Sequence, residues 1–418
     1  WPIGPSGPIK YSFSDSESRK MKPTPAEKRN VLLLAGGQAP FQTASVIVMT
    51  LSGLVGLQIA PAKSLATLPI ALMMVAAAAT MIPASMLMQR FGRQAGFLLG
   101  TTLGVLAGLT AAGAIWLGNF WLFVFANMLV GSYQAFAQYY RFAAADVAST
   151  DFKSRAISWV IAGGVVAAVA GPNIAKITQG ISATPFLASY LALFGASVLA
   201  LILVTRLALP PLAVVEAHGP ARPLLQIMRQ PIFITALAGS AVGHSVMMMV
   251  MTATPLAMKA CGYTQSASAS VVQWHVLGMF LPSFFTGNLI RRFGVLPIMA
   301  TGIALLGGHV LVALSGNEYL NFLSGLILLG AGWNFLYIGG TTLLTEAYTP
   351  SERGKTQAAH DFIVFGSASL ASFVAGGLLN HGGWHSVNFT AMPFLGMALA
   401  AVTGFAMMRR RVMAAAAA

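Results

Sequence analysis

Apolar stretches of about 20 residues, the length a helix needs to cross about 30 Å of hydrocarbon, recur along almost the whole chain with short polar breaks between them. Twelve are present, at 31–58, 65–88, 95–116, 120–143, 156–178, 184–206, 231–259, 265–290, 294–314, 319–345, 356–379 and 386–408. Each predicts a membrane-crossing helix. The pattern also repeats at a separation of about 200 residues. Gln89-Arg90-Phe91-Gly92 after the second run returns as Arg291-Arg292-Phe293-Gly294 after the eighth, and Met128-Leu129-Val130-Gly131 returns as Ile327-Leu328-Leu329-Gly330. Asp146 and Arg155 are echoed by Glu346 and Arg353. An all-α membrane protein follows, with twelve transmembrane helices in two pseudo-symmetric six-helix bundles at 30–206 and 231–408. A cytoplasmic linker is expected at 207–230, a disordered cytoplasmic tail at 1–29 and a short cytoplasmic tail at 409–418.

Composition agrees with that pattern. Of 418 residues, 56% are hydrophobic and only 8% charged, more apolar side chain than a soluble core hides. The net charge of +14 would suggest nucleic acid in a soluble protein, but the charge is not spread over one face. All of the 24 basic residues except Lys63, Arg141, Lys176 and Lys259 fall in the tails or in loops on one side. The positive-inside rule therefore predicts cytoplasmic termini, with the lipid bilayer rather than nucleic acid as partner. Residues 1–20 lack the apolar core of a secretory signal, and Met21 is a candidate natural start. A single cysteine, Cys261, forbids an intramolecular disulfide or a cysteine metal cluster.

Twelve crossings, an internal duplication and a basic loop after the second crossing resemble the major facilitator superfamily. In that family this loop carries a Gly-x-x-x-Asp-Arg-x-Gly-Arg pattern. Here Ser85 and Gln89 replace its Gly and Asp, whereas Arg90, Gly92 and Arg93 match; the second copy keeps Gly287, with Arg291 at the acidic position before Arg292 and Gly294. The acidic charge is missing twice, yet the glycines still permit a tight turn. Gly171-Pro172, preceded by Gly163 and Gly164, is similar to an antiporter motif of the family, but kinking and close packing of membrane helices are the better account of it. The resemblance implies two bundles rocking around a mid-membrane site, and no enzyme activity.

Two spacings suggest a cargo. Met247 with Met251, and His275 with Met279, each place two metal ligands on one helix face. Thioether and neutral imidazole suit Cu(I) better than oxygen-preferring ions. At 1.5 Å per residue, Met251 and His275 fall roughly 12 to 15 Å below the outer membrane face and Met247 and Met279 roughly 18 to 21 Å. Neighbouring crossings would then present all four near the bilayer middle. His244 and Met248 would extend the path, although His244 also reads as a hydrogen-bonded structural histidine, and a cluster of methionines as plain packing. The two motifs together resemble the CcoA-type copper importers of bacterial inner membranes, which supply haem–copper oxidase assembly. That resemblance implies copper as imported substrate rather than cofactor, Cys261 as a further functional position, and copper chaperones or thiol donors as partners.

Acidic residues in the crossings are few. Asp361, with His360 beside it, lies one to two turns into the eleventh run and is the best candidate for a proton or inner-gate role, with Arg353 or Arg155 as expected partners. Arg141, Asp146 and Glu346 are further gate candidates, expected in interfacial or inter-helix contacts. Tyr133, Gln134, Tyr139, Trp333 and Asn334 put polar edges on the fourth and tenth crossings, which line the cavity in this superfamily. The alternative cargo is a small organic molecule, a vitamin or drug, held in an apolar pocket of Met and aromatic side chains.

Overall fold

The computed structural model describes residues 23–62, 65–66, 68–178, 181–209 and 221–417. Of the disordered tail expected at 1–29, residues 1–22, Met21 included, lie outside the described residues, whereas helix begins at Pro25 behind a Thr24–Glu27 capping box, so the end of the expected tail is ordered. Lys63 and the middle of the linker with Pro210, Pro211, Glu216 and Pro220 also lie outside the described residues, as do the side chains of Pro172 and Lys176. The first bundle contains α1 (Pro25–Ile59), α2 (Leu68–Phe91), α3 (Arg93–Leu117), α4 (Phe120–Ala137), α5 (Tyr140–Val147), α6 (Lys153–Ala162), α7 (Gly164–Thr178) and α8 (Leu187–Thr205). A short α9 (Leu224–Met228) closes the linker. The second bundle contains α10 (Pro231–Ala260), α11 (Gln265–Phe280), α12 (Ser283–Phe293), α13 (Val295–Ser315), α14 (Tyr319–Leu344) and α15 (Arg353–Ala417).

Ten of the helical stretches among the described residues are long and apolar enough to cross a membrane. The twelve crossings are reached because α15 holds two and because the eighth is broken into α11 and α12, each too short alone. Several boundaries differ from expectation, among them the fourth run, divided between α4 and α5, and the fifth, divided between α6 and α7. The eighth run is interrupted at Leu281-Pro282, where proline lacks the donor a helix interior requires. The eleventh and twelfth runs are two helices that meet directly at a sharp kink, where Gly383 has the non-helical φ 68° and ψ −168°, and the second continues to Ala417 through the segment expected as a tail. Part of the linker is helical as α9.

The duplication is visible in the backbone. Gly92 opens α3 at φ 89° and ψ 159°, and Gly294 opens α13 at φ 89° and ψ 161°, a left-handed conformation that only glycine adopts without strain. Both turns lie on the side carrying the start of α1 and the end of α15, here called the near side.

The bundles meet along two near-side seams. In one, Ser85 donates to the Gly354 carbonyl at 2.8 Å; in the other, Ser154 donates to the Gly287 carbonyl at 3.0 Å. Ser158 adds to the second seam, donating to the Ser283 carbonyl and accepting from the Gly287 amide at 3.0 Å. Arg353 pairs with Asp146 at 2.8 Å and Arg93 donates to Gln357 at 2.7 Å. Every cross-bundle hydrogen bond among the described residues belongs to this near half, so the molecule is sealed there. A Cβ on Gly287 would lie 2.6 Å from the Arg155 Cα and 2.7 Å from the Ser154 carbonyl oxygen, both backbone atoms that cannot swing aside. Gly287→Val is therefore expected to weaken the seal by about 1–3 kcal/mol. Thiol labelling of Thr341→Cys in a Cys261→Ser background should become faster from the near side; unchanged labelling would contradict the seam's role.

Candidate functional site

The site grows from one face of α14. Trp333, Tyr337 and Thr341 recur every fourth residue, so they stack along one side of the helix. The Trp333 and Tyr337 rings are parallel, with centroids 4.7 Å apart and planes at 18°. From α10, His244 Nδ1 accepts from the Trp333 indole at 3.0 Å. Phe365 of α15 meets the His244 ring edge-on at 4.8 Å, and Phe280 meets Trp333 edge-on at 6.0 Å. The result is an aromatic platform near the molecular middle, built by four helices. Next to it, Asn334 donates to the Met279 carbonyl and to Ser283, each at 2.6 Å, and accepts from Thr286 at 2.7 Å. It thereby satisfies a carbonyl that the helix break at Pro282 leaves unpaired.

Toward the near side the platform runs into a buried ion pair. Arg141, 3% exposed, reaches from α5 across the bundle interface and grips both oxygens of Asp361 at 2.6 and 2.7 Å. Both bonds come from the single Nη2, and the charge on each partner makes them stronger than neutral hydrogen bonds. Its remaining donors are also used: Nε on Thr341 at 3.2 Å, and Nη1 on the Gln138 side chain at 3.0 Å and on the Tyr337 hydroxyl. The same guanidinium lies 4.5 Å from the centre of the Tyr337 ring, and Tyr337 donates to Gln138 at 3.0 Å. His360 Nδ1 sits 2.9 Å from Asp361 Oδ1. One continuous path of contacts therefore joins His244, Trp333, Tyr337, Arg141, Asp361 and His360. Arg141 and Gln138 belong to the first bundle and the others to the second, so the path can persist only while the near half is closed.

The residues expected to bind metal are placed differently. His275 is fully buried, and its Nδ1 bonds to the Leu326 carbonyl of α14 at 2.8 Å. Its imidazole is thus lodged between helices of the second bundle rather than on a chamber reached from solvent. The rotation has a steric cause: a Cβ on Gly330 would lie 2.6 Å from the His275 carbonyl oxygen and 2.8 Å from the Met279 amide, so α11 is pressed against α14 along this face. Met247 is buried, whereas Met248, Met251 and Met279 are half-buried against the same core. His244 serves the aromatic platform, and Cys261 is exposed as the C-cap of α10 on the far side. Among the described residues no three His, Cys, Asp or Glu side chains are grouped to hold a metal ion.

Of the gate candidates, Asp361, His360 and Arg141 come together, whereas Asp146 and Glu346 pair elsewhere. Asp361 pairs with Arg141, not with Arg353 or Arg155. Arg353 instead shares Asp146 with Arg93, which pairs at 2.9 Å, so Asp146 supplies the acidic charge that the loop motif lacks. The Arg155 guanidinium lies over Phe152 and Trp159. Glu346 makes an exposed pair with Arg409 at 3.4 Å. Arg90 and Arg292 cover the rings of Phe91 and Phe293, and Arg291 is exposed. Sequence reasoning missed Tyr337, Thr341, Gln138 and Phe365. The four-residue spacing after Trp333 was the signal available for the first two.

Comparison with known proteins follows the same direction. A family model described as Major Facilitator Superfamily matches residues 246–416. The riboflavin transporter RfnT of Brucella anthropi is 40% identical over 384 residues, covering 90% of this chain and 95% of its own. The uncharacterized MFS-type transporter YddS of Bacillus subtilis is 31% identical over 327 residues, covering 73% of this chain and 74% of its own. Among solved structures, the E. coli fucose:proton symporter superposes with a TM-score of 0.72 at 14% identity, over 92% of this chain and 99% of its own. A bacterial homologue of the iron transporter ferroportin gives 0.71 at 14% identity, over 92% and 100%. These relatives correct one expectation: the resemblance to copper importers, and with it a part in cytochrome oxidase assembly, finds no support beside a relative that carries riboflavin. On its fold and on relatives that cover most of its length, the chain belongs to the major facilitator superfamily and is a membrane-embedded secondary transporter, not an enzyme.

Proposed function

We propose that the chain carries a planar aromatic organic molecule of vitamin size, of the riboflavin kind, across a bacterial inner membrane. The observation that carries this reading is the stacked Trp333–Tyr337 pair with His244, Phe365 and Phe280 around it, in a chain 40% identical to a riboflavin transporter. A tricyclic heteroaromatic ring gains most from such surroundings, because offset and edge-on aromatic contacts add about 0.5–1.5 kcal/mol each beyond area burial. Half-buried hydroxyl pairs on both bundles, Ser245 with Ser367 at 3.1 Å and Thr80 with Ser132 at 3.1 Å, offer partners for a polyol chain. Copper fits less well, since His275 spends one ring nitrogen on Leu326 and is sealed from solvent.

In this reading the near side faces the cytoplasm, in keeping with the basic loops gathered there. The Arg141–Asp361 pair is the inner gate. Cargo settling against Tyr337 would disturb the hydroxyl that Arg141 and Gln138 share, and so bias the gate toward release. Purified protein in liposomes should accumulate radiolabelled riboflavin saturably, with competition by unlabelled riboflavin, and should take up no more copper-64 than empty liposomes. Saturable copper uptake that is lost in Met247→Leu, without flavin uptake, would reverse the assignment.

A further inference from the structure

A second cavity, of about 650 Å³, opens at the near-side surface away from the aromatic platform. Its size falls in the range of about 300–1,000 Å³ usual for ligand pockets. One wall comes from the first bundle, from the turn before α6 with Asp151, Lys153 and Ser154. The others come from the second bundle: the α12–α13 turn, the end of α14 and the last turns of α15. The lining is mostly apolar, with Phe293, Leu296, Val402 and Met413 among its residues, and Phe293 and Met413 remain exposed on its membrane-facing edge. The rim is cationic, with Lys153, Arg291, Arg409 and Arg410 against Asp151 and Glu346. Arg409 is occupied by Glu346, but Arg291 and Arg410 form no ion pair among the described residues. Thr342 is among the lining residues and is 91% buried, and its hydroxyl has no hydrogen-bond partner. A buried polar group left unmatched is costly and usually marks a missing partner.

We infer that this cavity binds an anionic phospholipid from the leaflet on the basic side. Two unpaired guanidiniums at the membrane boundary suit a phosphate. The Thr342 hydroxyl can donate to a glycerol or phosphate oxygen, and the apolar floor suits the start of an acyl chain. A soluble phosphate ester would meet the same arginines but would gain nothing from that floor. Because the walls belong to both bundles, an occupant spans the seam that closes the near half. The bound lipid therefore stabilises the sealed state. The inference does not depend on the identity of the cargo.

The test uses native mass spectrometry of the full chain from mixed micelles with equal phosphatidylcholine and phosphatidylglycerol. Phosphatidylglycerol should be retained preferentially, by about ten-fold or more, given two arginines at the membrane surface. Arg291→Gln with Arg410→Gln should bring retention to parity, Arg291→Lys with Arg410→Lys should keep most of the preference, and Thr342→Val should reduce it. Near-side labelling of Thr341→Cys in a Cys261→Ser background should slow as phosphatidylglycerol is added to nanodiscs. Parity in the unmodified chain, an undiminished preference in the Gln pair, or displacement by millimolar glycerol 3-phosphate would overturn the lipid assignment. Labelling indifferent to phosphatidylglycerol would overturn the stabilisation of the sealed state.

Discussion

Asp361→Asn is expected to reduce riboflavin uptake by roughly two orders of magnitude, the largest effect of any single change in this molecule. Both carboxylate oxygens accept from Arg141 Nη2 and one lies 2.9 Å from the His360 ring nitrogen, while 0% of the residue's surface is exposed. The amide keeps the shape but leaves a buried guanidinium without its counter-charge, and removing one partner of such a pair costs about 3–5 kcal/mol. That cost falls on the near-side-sealed state, the one that contains the contact. The double variant Arg141→Gln with Asp361→Asn removes both charges and should be less impaired than Asp361→Asn alone. A coupling of about 2 kcal/mol or more between the two sites is expected from a double-mutant cycle on uptake. If the two losses simply add, the pair is not the gate.

Trp333→Ala should raise the KM for riboflavin at least about ten-fold, since it deletes the stack on Tyr337 and edge contacts worth about 0.5–1.5 kcal/mol each. It also leaves His244 Nδ1 without its donor, a further cost of about 1–3 kcal/mol to a buried acceptor. Tyr337→Phe makes the informative comparison. It retains the ring against Trp333 but removes the hydroxyl that reaches Arg141 and Gln138. Its KM should stay near the unmodified value while kcat falls several-fold. Measuring both parameters on the two variants separates cargo binding from communication with the gate; equal KM effects would show that platform and gate are not distinct.

The parts of the fold legible in the sequence were those governed by local physics. Runs of apolar residues announced the crossings, and Gly92 and Gly294 announced two turns that proved identical in backbone conformation. The candidate site was less legible because residues four apart share a helix face, yet nothing local says what that face meets. For α11, the close approach permitted by Gly330 turned His275 into the bundle, a rotation set by a helix more than fifty residues away. Asp361 was recognisable as unusual, but Arg141 stands 220 positions from it and no spacing rule links them. Trp333 and Asn334 were noticed for their polar edges; the role of Asn334 emerged only with the helix break near Pro282, beside which it donates to the Met279 carbonyl.

The last two crossings are joined without an intervening loop, through the bend at Gly383. One arm carries Asp361 and the other carries Arg409. The non-helical glycine interrupts the helix there, so the two arms meet at a kink rather than forming one rigid rod, and with no loop between them the joint has little slack. The arm that carries the carboxylate and the arm that ends at the arginine cluster share that one joint, so a shift of either arm at Gly383 displaces the end of its neighbour there.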